Sequence, residues 1–206
     1  MPRPAVRVRS AFDVAYEGTP TWDTGRPQPA VRQLLETGAI EGAALDVGCG
    51  TGMHAVLLAR AGHRVAGIDL APAAVQRARE RALAAGAEVT FMAGDALDLE
   101  AHGPTLGAPF DTVIDVGLYH SLQPADGTRY AQALASVTRS GGRALVICWS
   151  DRNPFGIGPE RVSQQALRQT FQDSAGWRIE AIDETTLETR LPMATVHAWL
   201  ARLGRR

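Results

Sequence analysis

The chain has 206 residues and a formal net charge of −1 at pH 7. This length predicts one domain with a full-sized core. The near-zero charge gives no general attraction to nucleic acid or to an anionic membrane surface, and no apolar run reaches the ~18 residues that a membrane-spanning helix needs. The two cysteines provide no disulfide framework, so a reducing, cytoplasmic location is expected.

The first 29 residues lack a regular pattern of apolar residues and are rich in Pro, Gly and Thr. The aromatic side chains of Tyr16 and Trp22 in this stretch are suited to covering an apolar or cationic ligand. From the residues alone, a surface tail and a segment folded over a ligand site both remain open. A short helix over 30–37 follows and is predicted to end at Gly38.

A glycine-rich turn follows the first predicted strand, at about 43–47, and precedes a predicted helix over 53–61. The turn has the sequence Leu-Asp-Val-Gly-Cys-Gly-Thr-Gly from Leu45 to Gly52. Glycine is required where the backbone takes a positive φ or where a ligand approaches too closely for a Cβ. Exposed N–H groups at a helix N-terminus, just beyond the end of a strand, then predict a ligand site.

The spacing of these glycines argues against a dinucleotide as the ligand. The dinucleotide pattern G-x-G-x-x-G, counted from Gly48, requires a glycine at position 53, where the chain has Met53. Asp46, which precedes the turn, would repel a pyrophosphate and attract a cation. An NAD-dependent oxidoreductase is therefore disfavoured.

Three further aspartates lie at the ends of predicted strands. Asp69 ends a short strand that begins near position 63, Asp95 follows a strand over 88–93, and Asp115 lies near the end of an apolar strand that starts at Phe110. Because the C-terminal ends of parallel strands meet at one edge of a sheet, these carboxylates are expected to gather around one crevice with the glycine turn.

The other predicted elements complete an alternation of strands and helices. In chain order they are a helix over 72–85, a connecting loop over 100–109, a helix over 125–138, a strand over 143–149, a loop over 150–159, a helix over 163–171, a strand over 176–182 and a last segment over 196–203. The pattern of the last segment suits a helix or a strand. The whole alternation predicts an α/β fold.

Two stretches carry a resemblance to a known family. Asp46-Val-Gly-Cys-Gly-Thr-Gly resembles the first motif of class I S-adenosylmethionine-dependent methyltransferases, and Trp22-Asp-x-Gly-Arg-Pro-x-Pro29 resembles the N-terminal signature of small-molecule members related to thiol, halide and thiopurine methyltransferases. The resemblance covers about residues 12–203. It implies a Rossmann-like, mostly parallel seven-stranded sheet with helices on both faces and an antiparallel last strand. It also implies a lid over 1–29 on a single domain over 30–206.

The resemblance further implies S-adenosylmethionine as the cofactor and a small-molecule acceptor that is methylated on sulfur, nitrogen or oxygen. Asp69 is expected at the ribose, as the N-cap of the helix that begins at Pro72, or in both roles, and Asp95 with Ala96 is expected at the adenine. The full implied cofactor set is Tyr16, Trp22, Asp46, Gly48, Cys49, Gly50, Gly52, Asp69, Leu70, Asp95, Ala96 and Asp115. The implied acceptor-binding set is Trp22, Arg26, Tyr119 and Trp149.

Methyl transfer is an in-line displacement, so its catalysis rests mostly on positioning, and a base is needed only for a protonated acceptor. His120, just beyond the fourth strand, is the best candidate for that base, because an ordinary histidine has a pKa of about 6.5. A packing or helix-capping role for His120 is an equal alternative. Asp115 is expected to hold the amino-acid part of the cofactor or to orient His120, whereas His54 is expected only to pack near the cofactor.

Other classes of protein fit the residues less well. The five histidines lack metal-ligand spacing, so no metal is expected. The sequence after the fourth strand, Asp115-Val-Gly-Leu, differs from the Asn/Asp-Pro-Pro-aromatic motif of enzymes that methylate amino groups of nucleic acids, so a nucleic-acid substrate is not expected. A non-catalytic regulator that binds the cofactor remains an alternative. The sequence predicts no oligomeric state.

Overall fold

The computed structural model describes residues 11–154, 156 and 158–206. The first ten residues of the predicted lid lie outside the described residues. After a helical segment over 11–15, the helices are α1 Pro29–Glu36, α2 Met53–Arg60, α3 Pro72–Ala84, α4 Leu99–Leu106, α5 Gly127–Val137 and α6 Gln164–Thr170. The strands are β1 Ala44–Val47, β2 Val65–Asp69, β3 Val89–Ala93, β4 Phe110–Val116, β5 Thr138–Trp149, β6 Trp177–Glu188 and β7 Thr195–Arg205.

The strands form one seven-stranded sheet in the order β3-β2-β1-β4-β5-β7-β6. The first five strands along the chain pair in parallel, with Ala44 opposite both Val65 and Thr112. β7 is antiparallel to both of its neighbours, β5 and β6. The predicted α/β fold, with its mostly parallel sheet and antiparallel last strand, is therefore confirmed.

The apolar core lies on both faces of the sheet, because successive strand residues point to opposite sides. On β4, Val113 packs into the core layer that contains Leu134 of α5, whereas Ile114 packs into the layer that contains Leu58 of α2. The helices α1 to α3 cover one face, and α4 to α6 cover the other. This layering leaves the C-terminal edge of the parallel strands for turns and loops.

The predicted loop over 100–109 is wrong, because most of it belongs to α4. Gly103 and Pro104 were the residues that favoured a loop, since both are poor inside a helix. In the structure Gly103 is buried, and a Cβ on it would lie 3.2 Å from Val137 Cγ1. The side chains of Leu99 and Leu106 fill the core beside it. Tertiary packing overrides local propensity here.

The C-terminal hairpin is longer than predicted. β6 continues to Glu188, which pairs with Thr195 at the start of β7, whereas the sequence predicted a strand only over 176–182. The alternation of apolar residues weakens beyond Ile182, so the sequence does not indicate that the strand continues. Pairing with β7 stabilises the longer strand. Among the helices that the described residues form, none is long and apolar enough to cross a membrane.

Candidate active site

The glycine turn takes the conformation that its sequence predicts. Gly48, Gly50 and Gly52 have φ values of 71°, 53° and 77°. A Cβ at Gly48 would lie 2.8 Å from Leu118 Cβ, and a Cβ at Gly50 would lie 2.9 Å from the hydroxyl oxygen of Tyr16. The turn therefore needs glycine both for its backbone and because the chain beyond β4 and the N-terminal segment press on it.

The Asp69 carboxylate fixes this turn against the end of β2. Its Oδ2 accepts a hydrogen bond from the Gly50 N–H at 2.8 Å, and its Oδ1 accepts one from the Ala71 N–H at 2.9 Å. A carboxylate has about four acceptor positions, so two remain for a ligand. Burial raises the pKa of Asp69, although its side chain is still partly accessible. A pair of hydroxyl groups is the natural ligand for such a carboxylate.

Asp46 and Asp115 lie deeper, with exposures of 1% and 0%. Asp46 accepts from the Ala55 N–H in the first turn of α2 at 3.1 Å. Asp115 accepts from the backbone N–H of Leu118 at 2.8 Å and from the hydroxyl of Tyr130 at 2.6 Å. Burial raises the pKa of each carboxyl to about 7, and the charge of Asp115 contributes to the shift of Asp46. A cation bound nearby would stabilise both charges.

The end of β3 supplies another accessible carboxylate. Asp95 Oδ1 accepts from the Leu97 N–H at 2.9 Å and caps the short 3₁₀ turn that begins at the buried Ala96. Leu70, after β2, is half-buried, and Cys49 is a buried free thiol whose pKa is raised by burial. The residues predicted at the ends of β1, β2 and β3 are therefore brought to one edge of the sheet. Within the described ranges, no group of three or more His, Cys, Asp or Glu is placed to hold a metal ion.

The described part of the N-terminal segment, 11–28, lies against the glycine turn. The hydroxyl of Tyr16 accepts a hydrogen bond from Trp22 Nε1 at 3.1 Å, and the two rings meet edge to face at 6.1 Å. The hydroxyl of Thr51 donates to Asp23 Oδ2 at 2.9 Å. Tyr16 is buried and Trp22 is 47% exposed. The segment is thus held by specific hydrogen bonds on top of the predicted ligand site.

Gln28 connects the same segment to the far end of β6. Its side-chain Nε2 donates to the Glu188 carbonyl at 2.9 Å, and the Glu188 N–H donates to its Oε1 at 2.8 Å. Its backbone N–H donates to His54 Nε2 at 3.2 Å, and burial lowers the pKa of His54 to about 4. His54 is therefore neutral near pH 7, and its expected packing near the cofactor stays a prediction. Gln28 was not predicted as a site residue, since nothing in the local sequence pattern marks it as buried.

Two residues of the predicted acceptor-binding set already have partners in the protein. Arg26 Nε lies 2.9 Å from Glu188 Oε2 in an exposed ion pair. The Tyr119 hydroxyl lies 2.7 Å from Thr170 Oγ1, and its ring packs on Phe171 with 5.5 Å between ring centroids. An acceptor would have to share these groups or displace their partners, so their role in binding stays a prediction.

His120 is oriented by the backbone of β5 rather than by Asp115. Its Nδ1 accepts a hydrogen bond from the Trp149 N–H at 2.9 Å, and the two rings meet edge to face at 6.4 Å. Asp115 instead accepts from the turn that carries His120, including the Tyr119 N–H at 3.0 Å. Burial lowers the pKa of His120 to about 4. The ring is therefore neutral near pH 7, with its proton on Nε2.

Trp149 closes the end of β5 beside His120 and is only 3% exposed. Its indole N–H is buried, and no acceptor among the described residues lies within hydrogen-bonding distance. A Cβ on Gly158, in the loop after β5, would lie 2.9 Å from Cζ2 of the indole, on the edge that carries Nε1. A buried N–H without an acceptor is uncommon and asks for an explanation.

The fold and these strand ends are those of a transferase that binds a nucleoside-bearing cation, and comparison with known proteins agrees. A family model described as a methyltransferase domain matches residues 44–142. A 2-heptyl-1-hydroxyquinolin-4(1H)-one methyltransferase of Mycobacteroides abscessus is 31% identical over 192 residues, which cover 87% of this chain and 82% of the relative. A probable thiol methyltransferase 2 of Arabidopsis thaliana is 28% identical, over 88% of this chain and 80% of the relative.

A solved structure from work on the conversion of a disulfide bond into a thioacetal group during echinomycin biosynthesis is also similar. It superposes with a TM-score of 0.86 and 37% identity, over 96% of this chain and 91% of that chain. The chain belongs to the class I S-adenosylmethionine-dependent methyltransferases. The comparisons give no support to an NAD-dependent oxidoreductase or to a non-catalytic regulator. The residues suit the cofactor, since the open acceptor positions of Asp69 match ribose hydroxyls and the buried carboxylates match a sulfonium cation.

Proposed function

We propose that the enzyme transfers a methyl group to a hydroxyl or thiol of a small molecule bound beside the glycine turn. The Asp69 carboxylate carries this proposal, because it is held between the N–H groups of Gly50 and Ala71 and keeps acceptor positions for two ribose hydroxyls. When bound, S-adenosylmethionine supplies an electrophilic methyl group on a sulfonium that is already a good leaving group. The protein's own contribution is therefore binding, orientation and electrostatics.

In this proposal, the C-terminal ends of the parallel strands contribute to binding different parts of the cofactor. Asp69 binds the ribose, and Asp95 with the backbone of Ala96 binds the adenine. The glycine turn faces the methionine part, which can approach the backbone of the turn closely because its glycines carry no side chains. Asp46 and Asp115 are too buried for easy contact with the cofactor. They therefore act at a distance, through the negative potential of their charged forms, which favours the sulfonium.

The N-terminal segment acts as a lid in this proposal. Its support is a set of hydrogen bonds. The bond from Thr51 to Asp23 holds the segment on the turn, the pair between Gln28 and Glu188 holds it on β6, and the bond from Trp22 to Tyr16 forms within the segment. A closed lid excludes water from the reacting atoms and strengthens the electrostatic interactions beneath it. Trp22 and Arg26 lie on this segment, where an acceptor would enter.

A hydroxyl or a thiol is favoured as the acceptor group by the two relatives, whose names specify a hydroxyquinolone and a thiol. An amine is less favoured, because neither of these relatives is named for an amine acceptor. We also propose that the enzyme acts in the cytoplasm and on neither nucleic acid nor a membrane. The two buried free thiols suit a reducing compartment, and the net charge of −1 gives no attraction to polyanions.

The proposal is tested by calorimetric titration with S-adenosylhomocysteine, followed by turnover with a matched panel of acceptors. Thiophenol, 8-hydroxyquinoline and aniline are each incubated with S-adenosylmethionine, and the products are identified by mass spectrometry. We expect cofactor binding that is lost in Asp69→Ala and kept in Glu100→Ala, which alters an exposed carboxylate on α4. We expect methyl transfer to the thiol or the hydroxyl. Transfer to aniline alone, or cofactor binding unchanged in Asp69→Ala, would overturn the proposal.

A further inference from the structure

The hydrogen bond that His120 accepts from β5 determines what its other nitrogen can do. Because Nδ1 accepts from the Trp149 N–H at 2.9 Å, the lone pair on Nδ1 is already used. A neutral imidazole carries one proton, and that proton must then lie on Nε2. His120 therefore presents a hydrogen-bond donor, whereas a general base must present a free lone pair.

We infer that His120 donates a hydrogen bond from Nε2–H to the anionic atom of the acceptor, and that the enzyme takes an acceptor that is already ionised instead of deprotonating it. This inference rests on the proposed function and adds the class of acceptor: an acidic thiol or an acidic hydroxyl on a conjugated ring. The predicted role of His120 as a base is replaced by a donor role.

The surroundings of His120 oppose a gain of positive charge on the ring. The carboxylate of Asp115 is directed at the N–H groups of Leu118 and Tyr119, so it does not pair with the imidazole. The guanidinium of Arg161, in the segment after β5, lies 5.4 Å from the Trp149 ring. Burial raises the pKa of the Cys148 thiol, which precedes Trp149 in β5. Within the described part of the chain, no carboxylate forms a hydrogen bond or an ion pair with the His120 ring, and burial lowers the pKa of the ring.

The position of His120 links it to the cofactor site. It lies on the turn after β4, and Leu118 of that turn is the side chain that a Cβ at Gly48 would meet. On the other side, the buried indole N–H of Trp149 faces the loop at Gly158 and has no acceptor among the described residues. An acceptor with a negative atom, entering between this loop and the turn, would satisfy a donor on each side.

The transfer step balances without a proton acceptor in the protein. A lone pair of the anionic oxygen or sulfur forms a bond to the methyl carbon. The bond between that carbon and the sulfonium sulfur breaks, and its electron pair stays on sulfur, which leaves a neutral thioether. The proton of the acceptor was released to solvent before binding, so His120 keeps its own proton throughout.

The tautomer is tested first, because it needs no acceptor. Protein labelled with ¹⁵N-histidine is examined by long-range ¹H–¹⁵N correlation NMR with bound S-adenosylhomocysteine, and His120→Ala assigns the signal. We expect a neutral ring with its proton on Nε2 from pH 8 to pH 6. A proton on Nδ1, or protonation of the ring near pH 6.5, would overturn the inference whether or not the enzyme methylates any compound.

The donor role is tested with 4-nitrophenol, whose absorbance distinguishes the phenol from the phenolate. At a pH about one unit below its ordinary pKa, we expect the probe to bind the S-adenosylhomocysteine complex as the phenolate. We expect His120→Ala to weaken phenolate binding at least tenfold, and His120→Gln, which keeps an N–H donor, to weaken it severalfold less. Binding as the neutral phenol, no binding, or equal effects of both substitutions would contradict the inference. Failure of the proposed function would instead appear as absent S-adenosylhomocysteine binding.

Discussion

The two walls of the proposed site differ in the hydrogen-bonding groups that they offer to a ligand, since one offers acceptors and the other offers donors. The cofactor wall, formed by the C-terminal ends of β1 to β3, provides hydrogen-bond acceptors, of which the Asp69 carboxylate is the best placed. In the proposed site the acceptor wall, formed by the ends of β4 and β5, provides hydrogen-bond donors. They are the Nε2–H of His120 and the indole N–H of Trp149, which has no acceptor among the described residues. The cleft therefore suits a cation on one side and an anion on the other.

In the proposed reaction, this difference lets methyl transfer proceed without a general base in the protein. The reactants are a sulfonium cation and an electron-rich nucleophile, and the transfer removes charge from both. A protein that fixes each reactant with groups of the opposite polarity needs no further proton transfer. The main requirement is rigid placement of the two walls at a close distance.

The largest effect is expected from Asp69→Asn. It replaces a carboxylate, which only accepts hydrogen bonds, with an amide that has one accepting oxygen and one donating NH₂ group. Hydrogen bonds to a charged group contribute about 1.5–3 kcal/mol each, so the dissociation constant of S-adenosylhomocysteine should rise by about 100-fold or more. Isothermal titration calorimetry measures the change. Asp95→Asn, on the same wall, should raise the constant by about tenfold. Equal losses from the two variants would mean that the wall binds through its overall charge alone.

A smaller effect is expected from Asp115→Asn at the boundary of the two walls. Burial raises the pKa of Asp115 from 3.8 to about 7, so the folded state holds this proton more tightly than the unfolded chain does. The contribution of Asp115 to the free energy of unfolding therefore falls as the pH rises through this interval. The stability of the wild type relative to Asp115→Asn should fall by up to about 1.4 kcal/mol per pH unit between pH 5 and pH 6.5.

Urea unfolding of the apoprotein and of Asp115→Asn at several pH values tests this prediction. His54 and His120, whose pKa values are lowered to about 4, change the stability in the opposite direction below pH 6.5. They are present in both proteins, so they cancel in the difference, which reports Asp115 together with the part of the Asp46 shift that the charge of Asp115 causes. A difference that stays constant with pH would show that Asp115 is ionised in the folded protein throughout.

The smallest effect is expected from Gln28→Ala in the N-terminal segment. The substitution removes two hydrogen bonds to Glu188 and leaves a partly buried backbone pair without partners. A loss of about 1–2 kcal/mol in the free energy of unfolding is expected, together with severalfold weaker binding of S-adenosylhomocysteine. Gln33→Ala, on the exposed side of α1, is the matched control and should change neither quantity. Weaker binding without any loss of stability would indicate direct contact between Gln28 and the ligand.

The cofactor wall was largely predictable from the sequence, and the acceptor wall was not. Gly48 and Asp69 lie within one strand–turn–helix–strand unit, so their relation is fixed by local geometry that the spacing reveals. The tautomer of His120 depends on a backbone N–H of Trp149, 29 residues away. The partner of Gln28 is 160 residues away. Such pairings arise from the register of β5 and β6 and have no local signal.

The fold shows the same division at α4. The sequence around Gly103 and Pro104 favours a loop, and only the burial of Gly103 against Val137 makes a helix there. The antiparallel ending was predicted from the family topology, whereas the long pairing of β6 with β7 depends on contacts between distant residues. Local chemistry therefore predicts elements and strand ends, and tertiary contacts decide where an element extends beyond its own preferences.

The reciprocal amide pair of Gln28 and Glu188 gives the proposed lid an internal reporter of its opening. The N–H of Glu188 is protected by a side chain of the N-terminal segment, since its bond goes to Gln28 Oε1. Each time the segment lifts, this amide is exposed to solvent and can exchange its proton for deuterium. Its exchange rate, compared with that of amides inside the β6–β7 ladder, would measure how often the enzyme admits a reactant without any label on the lid.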